Sequence, residues 1–191
     1  MRILGGILFL IAGFFPAFAQ SDAPTADTDP VLVFNRICYS QVPALDSIRD
    51  MATRFAWEPI GGEDLREFTK VDKPSILQGW DVRIAKKLYR LGIVQSPLTD
   101  SFSQAFPAFS QGTATGCTLV LDGNDEADIV LNRMNTLAGK EPATADIPDG
   151  ELLTTTWAGG NDEFKVFLIY KSDSGGKAHL LNVTILAKQA N

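Results

Sequence analysis

The sequence predicts an α+β fold, in which a single domain is built on an antiparallel sheet with two main helices packed on one side. Two patterns predict it: amphipathic helical periods begin near Pro43 and near Asp125, and alternating patterns typical of strands follow each of them. The order helix, strands, helix, strands is typical of an antiparallel sheet covered by helices. We expect one domain over residues 31–191, since a chain of this size can bury a single core.

The first helix is predicted to begin near Pro43, because proline is favoured in the first turn of a helix. Four apolar residues fall on one face of this segment, namely Leu45, Ile48, Ala52 and Phe55. The helix should end before Pro59, and a shorter helical turn is predicted at residues 63–68.

The second helix has a clear start and stop. Asp125 is predicted to cap it, with Asp128 three residues later, and Gly139 supplies the left-handed residue that ends it. One apolar stripe runs along this helix and consists of Ala127, Val130, Leu131, Met134, Leu137 and Ala138.

Several segments show strand patterns. Trp80, Val82 and Ile84 alternate with charged residues, although Ile84, Leu88 and Leu91 also fit a helical period, so the continuation of this strand is left open. Strands are also predicted at residues 118–121, 152–159, 164–171 and 181–187, and the last two form a long hairpin. The first strand of that hairpin is apolar on both faces and should therefore lie inside the sheet. The segment rich in Ala, Pro and Asp that precedes the strand at residue 152 is predicted to be a loop.

The beginning of the chain has the features of a secretory signal peptide over residues 1–19. Arg2 is followed by an apolar run that ends in Ala17-Phe18-Ala19. Residues 20–30 are small, acidic and proline-rich, which predicts a disordered linker. No later apolar stretch reaches the roughly 20 residues of a spanning helix, so we expect no stable membrane anchor after signal cleavage. The formal net charge of −6 argues against a nucleic-acid partner.

The two cysteines, Cys38 and Cys117, have four possible roles. A structural zinc site needs four ligands, and His179 is the only histidine in the chain. A cysteine nucleophile would depend on that same histidine, and Cys38 lies too far from the signal cleavage point to carry a lipid. A disulfide between the two cysteines is the ordinary arrangement in an exported protein, so we predict this disulfide and a periplasmic or secreted location.

We expect neither a metal nor a cofactor. Residues 122–133 place acidic or amide side chains where a calcium loop needs them, but Ala127 stands where that loop needs glycine and Arg133 where it needs glutamate. The glycine pairs lack the spacing that binds phosphates.

An irregular segment offers the one candidate binding patch. Phe102, Phe106 and Phe109 recur at helical spacing, but Pro107 interrupts them and polar residues surround them. Aromatic side chains on such a loop could bind a ligand or partner. The alternative is that they cover one end of the sheet.

The layout resembles a group of small exported, periplasmic proteins of alphaproteobacteria that contain two cysteines. The residues that carry the resemblance are Phe34 and Cys38, Trp80 at the start of a strand, and Gly116, Cys117 and Leu119 before a helix with an acidic start. The resemblance implies an exported, disulfide-tied domain. It implies no chemistry, because no activity is assigned to that group.

The sequence therefore favours an exported, non-enzymatic binding or interaction module that contacts a protein or a small apolar ligand in the periplasm. Two alternatives stay open. One is a hydrolase of cell-envelope glycan that uses two carboxylates, with Asp64, Asp81 and Glu163 as candidates. The other is an inhibitor of a secreted cationic enzyme, because an acidic protein attracts such a partner.

Overall fold

The computed structural model describes residues 29–84, 86–139 and 143–188. The predicted signal peptide and nearly all of the predicted linker lie outside these ranges. The last two residues expected in the linker belong to the first helix: the Asp29 carboxylate accepts a hydrogen bond from the Val31 N–H at 3.0 Å, and Pro30 occupies the first helical position.

The described residues contain four α-helices and three helical segments of other types. The α-helices are α1 (Pro30–Phe34), α2 (Leu45–Arg54), α3 (Asp100–Ala105) and α4 (Ala127–Ala138). A π-helix (Asn35–Tyr39) continues α1, and two 3₁₀ helices span Gly62–Phe68 and Pro107–Phe109.

Eight strands in the described ranges form one antiparallel sheet. They are β1 (Glu58–Ile60), β2 (Ile76–Ile84), β3 (Lys87–Pro97), β4 (Thr113–Val120), β5 (Ala143–Asp149), β6 (Leu152–Gly160), β7 (Phe164–Asp173) and β8 (Ala178–Ala187). Their order across the sheet is β1-β2-β3-β4-β8-β7-β6-β5. The predicted antiparallel sheet within a mixed α+β fold is confirmed, and the sheet is its larger part. The strand predicted to be interior, β7, lies between β6 and β8.

One face of the sheet carries the main core. The strand register places Leu91 opposite Leu119 and Cys117 opposite Val183, so these side chains share a face. They form one buried cluster with side chains from α1, the π-helix, α2 and α4. The predicted disulfide is present: Cys38, in the π-helix, is bonded to Cys117, and both residues are fully buried.

The opposite face is covered by short elements. Gly92 has the 3₁₀ helix Gly62–Phe68 directly above it, and a Cβ atom at Gly92 would lie 2.1 Å from the Phe68 ring. This close approach requires glycine at position 92. At the other end of this face, Phe106 packs edge-on against Phe167 on β7, with 5.5 Å between ring centroids.

Three strands were missed in the sequence, and one of them is β1 (Glu58–Ile60), where no element was predicted. Residues 143–149 form the edge strand β5 rather than a loop, because pairing with β6 holds a segment whose Ala, Asp and Pro content disfavours strands. Residues 76–97 form two strands rather than one, since Ile84 pairs with Lys87 across a two-residue connection. That connection, Ala85-Lys86, contains no glycine or asparagine to signal a turn.

Two details of the helices also differ from prediction. Asp125 does not cap α4; the N-cap is Glu126, and the Asp125 carboxylate instead pairs with the Lys87 ammonium. A backbone carbonyl takes over part of the capping, because the Ala127 N–H donates to the Gly176 oxygen at 2.9 Å. Phe55 lies just beyond the end of α2 and is 62% exposed, whereas Leu45, Ile48 and Ala52 are buried as expected.

Candidate functional site: a groove at the edge of the sheet

The first edge of the sheet is incomplete. β1 is three residues long and pairs only with Gly79–Asp81 of β2. Residues 82–84 of β2 continue beyond it, and in the described chain no strand pairs with them on that side. The last part of β2 is therefore an open edge.

The end of α2 explains why β1 begins so late. The Trp57 N–H donates to the Ala52 oxygen at 2.9 Å, and the Ala56 N–H donates to the Thr53 oxygen at 3.3 Å. These are the two hydrogen bonds of a Schellman motif, which places Ala56 in the left-handed region with φ of 50°. The chain leaves this turn at Trp57 and enters β1 at Glu58.

A groove of about 640 Å³ lies beside this open edge. We call it the edge groove. Its lining comes from α1 and the π-helix, from α2 and the connection that follows it, and from β1, β2 and β3: Val33, Arg36, Ile37, Met51, Phe55, Ala56, Trp57, Glu58, Asp81, Arg83, Ile84 and Leu88. Its volume is in the range of sites that hold small ligands or peptide side chains.

Most of the lining is apolar, and part of it faces solvent. Phe55 is 62% exposed and Leu88 is 42% exposed. The Phe55 and Trp57 rings stack with 6.3 Å between their centroids. Exposed aromatic and aliphatic side chains in a concave surface are typical of a binding site, because a partner that covers them removes apolar area from water.

The polar lining contains both charges. Glu58 and Asp81 are register partners on β1 and β2, so two carboxylates lie side by side at one end of the groove. Arg83 lies two residues further along β2 on the same face of the sheet, and it forms no ion pair within the described ranges. The groove therefore offers an exposed guanidinium next to apolar walls.

The backbone of Arg83 faces the open edge. Pro59 has no N–H and is opposite Trp80, so this pair cannot exchange two hydrogen bonds. The hydrogen-bonded pairs are therefore those of Asp81 and Gly79 with β1. Because the direction of backbone groups alternates along a strand, the N–H and C=O of Arg83 point to the same side as those of Asp81, where β1 has ended.

The phenylalanines predicted to form a binding patch lie elsewhere. Phe102 on α3 is 44% exposed, Phe106 packs on Phe167, and Phe109 is only 3% exposed. None of the three lines the edge groove. Their arrangement matches the alternative in which they cover one end of the sheet, and their binding of a ligand or partner stays a prediction.

Asp64 and Asp81 both lie close enough to Glu67 to raise its pKa, whereas Glu163 lies in another part of the sheet. Asp81 lines the edge groove, Asp64 lies in the 3₁₀ helix Gly62–Phe68, and Glu163 lies between β6 and β7. The structure adds Glu58 as the neighbour of Asp81. The hydrolase and inhibitor hypotheses stay predictions.

Glu67 and Asp173 are among the further carboxylates with perturbed pKa values. Burial raises the pKa of Glu67, partly offset by the nearby Arg90 guanidinium. The hydrogen bond from His179, with 2.8 Å between Nε2 and the carboxylate oxygen, lowers the pKa of Asp173. Neither residue lines the edge groove. Within the described ranges, no group of three or more His, Cys, Asp or Glu side chains could hold a metal ion.

Sequence reasoning missed Phe55, Trp57 and Arg83 as site residues. The sequence pattern predicts Phe55 on the buried face of α2 and Arg83 on the solvent side of a strand. One signal was present: Phe55-Ala56-Trp57 places two aromatic residues in a connection between a helix and Pro59. The groove itself depends on where β1 stops relative to β2, which the local pattern does not show.

Comparisons of the chain with protein-family models, with curated proteins and with solved structures found no match. Among the helices of the described residues, none has the length and apolar character required to cross a membrane.

Proposed function

We propose that this protein is an exported, periplasmic binding module without catalytic activity, and that its site is the edge groove. The single observation that carries the proposal is the groove of about 640 Å³ with solvent-facing Phe55 and Leu88 on its walls. Such a surface binds the apolar part of a protein or a small ligand. The Cys38–Cys117 disulfide supports the exported location, because disulfides persist in oxidising compartments.

The proposed architecture places the two main helices, α2 and α4, on one side of the sheet. What supports it is that buried Ile48 of α2 and Met134 of α4 belong to the same cluster as Leu91 and Leu119. These helices then stabilise the sheet from the core side. The binding surface is left at the edge, where α2 ends.

A neutral apolar dye tests the site. N-phenyl-1-naphthylamine fluoresces strongly in an apolar environment and carries no charge, so its binding reports the apolar walls alone. We expect saturable binding of one dye molecule per chain. Removing Phe55 and Leu88 together (Phe55→Ala, Leu88→Ala) should weaken binding about tenfold, because about 1.4 kcal/mol of apolar contact is lost.

The matched control removes one phenylalanine and one leucine of similar exposure outside the groove, with Phe102→Ala and Leu32→Ala. Phe102 is 44% and Leu32 46% exposed. This variant should bind the dye as the wild type does. If the two double variants lose dye binding equally, or if the wild type binds no dye, the edge groove is not a binding site.

A further inference from the structure

The line of β1 is closed to a further strand. Because Glu58 pairs with Asp81, the residue before it, Trp57, lies beside Val82 on that line. An extended peptide therefore cannot continue β1 along this part of β2. The edge groove instead suits a molecule small enough to lie within its volume of about 640 Å³.

Two carboxylates lie next to each other at one end of the groove. Glu58 and Asp81 are register partners, so their side chains project from the same face of the sheet. Arg90 is the register partner of Asp81 on β3, but it pairs with Glu67, with 2.8 Å between Nη2 and the carboxylate oxygen. Neither groove carboxylate forms an ion pair with a described residue. Both are able to accept hydrogen bonds from an ammonium group.

A guanidinium lies close to this pair of carboxylates. Arg83 follows Asp81 by two residues on β2, so their side chains share a face and their Cα atoms are about 7 Å apart. Arg83 forms no ion pair within the described ranges. A guanidinium binds a carboxylate through two parallel hydrogen bonds. This spacing allows one small molecule with neighbouring ammonium and carboxylate groups to contact both side chains.

Apolar walls adjoin these charges. The stacked Phe55 and Trp57 rings line the groove, and Leu88 is the register partner of Arg83 on β3, beside the guanidinium. Ion pairs at an exposed site contribute little to affinity by themselves. A ligand that binds here therefore also needs a large apolar group to cover these walls.

We propose that the edge groove binds a free amino acid with a large apolar or aromatic side chain. The inference rests on the proposed function of the groove and specifies its ligand. The ammonium group donates to Glu58 and Asp81, and the carboxylate accepts from Arg83. The ligand side chain lies against Phe55 and Leu88. A ligand with a single charge would leave either the carboxylates or the guanidinium without a partner.

The test compares three probes that share a phenylalkyl body. L-Phenylalanine carries both charges, 2-phenylethylamine lacks the carboxylate, and 3-phenylpropionate lacks the ammonium group. Each probe is titrated at neutral pH into the full chain loaded with N-phenyl-1-naphthylamine, and its dissociation constant is obtained from the loss of dye fluorescence. We expect L-phenylalanine to bind about fivefold more tightly than either analogue, because each analogue lacks one of the exposed ion pairs.

Substitutions that remove charge assign each group of the ligand to its partner. Arg83→Gln should abolish the advantage of L-phenylalanine over 2-phenylethylamine. The double variant Glu58→Gln, Asp81→Asn should abolish its advantage over 3-phenylpropionate. Each result is a ratio of two dissociation constants in the same variant, so a change in the affinity for the dye cancels.

Matched controls make the same substitutions outside the groove. The 3₁₀ helix Gly62–Phe68 carries Glu63, Asp64 and Arg66, and none of the three lines the groove. Arg66→Gln, and the double variant Glu63→Gln, Asp64→Asn, should keep both ratios at their wild-type values.

The outcomes distinguish the two proposals. If the dye binds in the groove but L-phenylalanine binds no more tightly than both analogues, the amino acid assignment is wrong and the binding site stands. The same conclusion follows if the groove variants keep the wild-type ratios, or if the control variants lose them equally. If the dye does not bind in the groove at all, the proposed function fails with the inference.

Discussion

Two buried tyrosines of the core differ in one hydrogen bond. Tyr89 and Tyr170 are 1% and 2% exposed. The Tyr170 hydroxyl donates to the Ala127 oxygen at 3.0 Å, whereas the Tyr89 hydroxyl has no partner among the described residues. Burial raises the pKa of Tyr170 to about 12, and burial together with the Asp125 charge raises the pKa of Tyr89 further. Both side chains are therefore neutral phenols at physiological pH.

This difference predicts opposite effects of the same substitution. Tyr89→Phe removes a buried hydroxyl that makes no hydrogen bond, so the free energy of unfolding should stay unchanged or rise by up to about 1 kcal/mol. Tyr170→Phe removes a hydrogen bond and leaves the Ala127 carbonyl without this donor, so it should lower the free energy of unfolding by about 1 kcal/mol or more. Urea denaturation of both variants measures the difference. A larger loss for Tyr89→Phe than for Tyr170→Phe would show that the Tyr89 hydroxyl has a bound partner, such as a water molecule.

At the scale of elements, the turn after α2 is held in a conformation that alanine adopts at a cost. Ala56 has φ of 50°, a region in which a Cβ atom costs roughly 1–2 kcal/mol. The Schellman hydrogen bonds from Ala56 and Trp57 hold it there. Because this turn determines where β1 begins, strain at one residue is linked to the presence of the edge groove.

Relief of that strain should stabilise the protein. Glycine at position 56 removes the steric cost, although the unfolded chain gains freedom worth about 0.5–1 kcal/mol. We expect Ala56→Gly to raise the free energy of unfolding by about 0.5–1 kcal/mol. Ala52→Gly, one turn earlier in the same helix, is the control and should lower it by about 1 kcal/mol or more. If Ala56→Gly destabilises the protein as much as Ala52→Gly does, position 56 is not strained.

The sequence predicted the helices and strands in which apolar residues recur at regular spacing along one face of the element. The stripe of α4, from Ala127 to Ala138, is buried in or against the core as its spacing requires. The alternating apolar residues of β7 and β8 likewise predicted two strands, and both lie inside the sheet. β5 could not be predicted, because its stability comes from β6 and not from its own composition. The edge groove could not be predicted for a similar reason: it results from the register of β1 on β2.

At the scale of the whole molecule, the disulfide joins the helical layer to the middle of the sheet. Cys38 lies in the π-helix and Cys117 in β4, with a sequence separation of 79. The neighbours of Cys117 in the sheet, Ile93 and Val183, are fully buried, as are both cysteines. A reductant therefore has little access to the bond while the protein is folded.

Removal of this bond should cost much of the stability of the domain. In the chain-entropy model, closing a loop of this length stabilises the folded state by about 4 kcal/mol, because the unfolded chain loses freedom. We expect the free energy of unfolding of the double variant Cys38→Ala and Cys117→Ala to be lower by about that amount. The wild type unfolded in the presence of reductant should show the same loss, since both experiments compare chains without the bond. Denaturant titrations at matched pH measure it.

The rate of reduction tests the same arrangement independently of stability. Because both sulfurs are fully buried, reduction in native buffer should be no faster than the opening of the core, and it should accelerate as denaturant is added. Alkylation with iodoacetamide followed by mass spectrometry counts the thiols. Two thiols that react in native buffer without reductant would contradict the disulfide, and with it the support for an exported protein. If the bond is absent, periplasmic expression should give no more folded protein than cytoplasmic expression. If the bond is present, the yield of folded protein should be clearly higher in the periplasm.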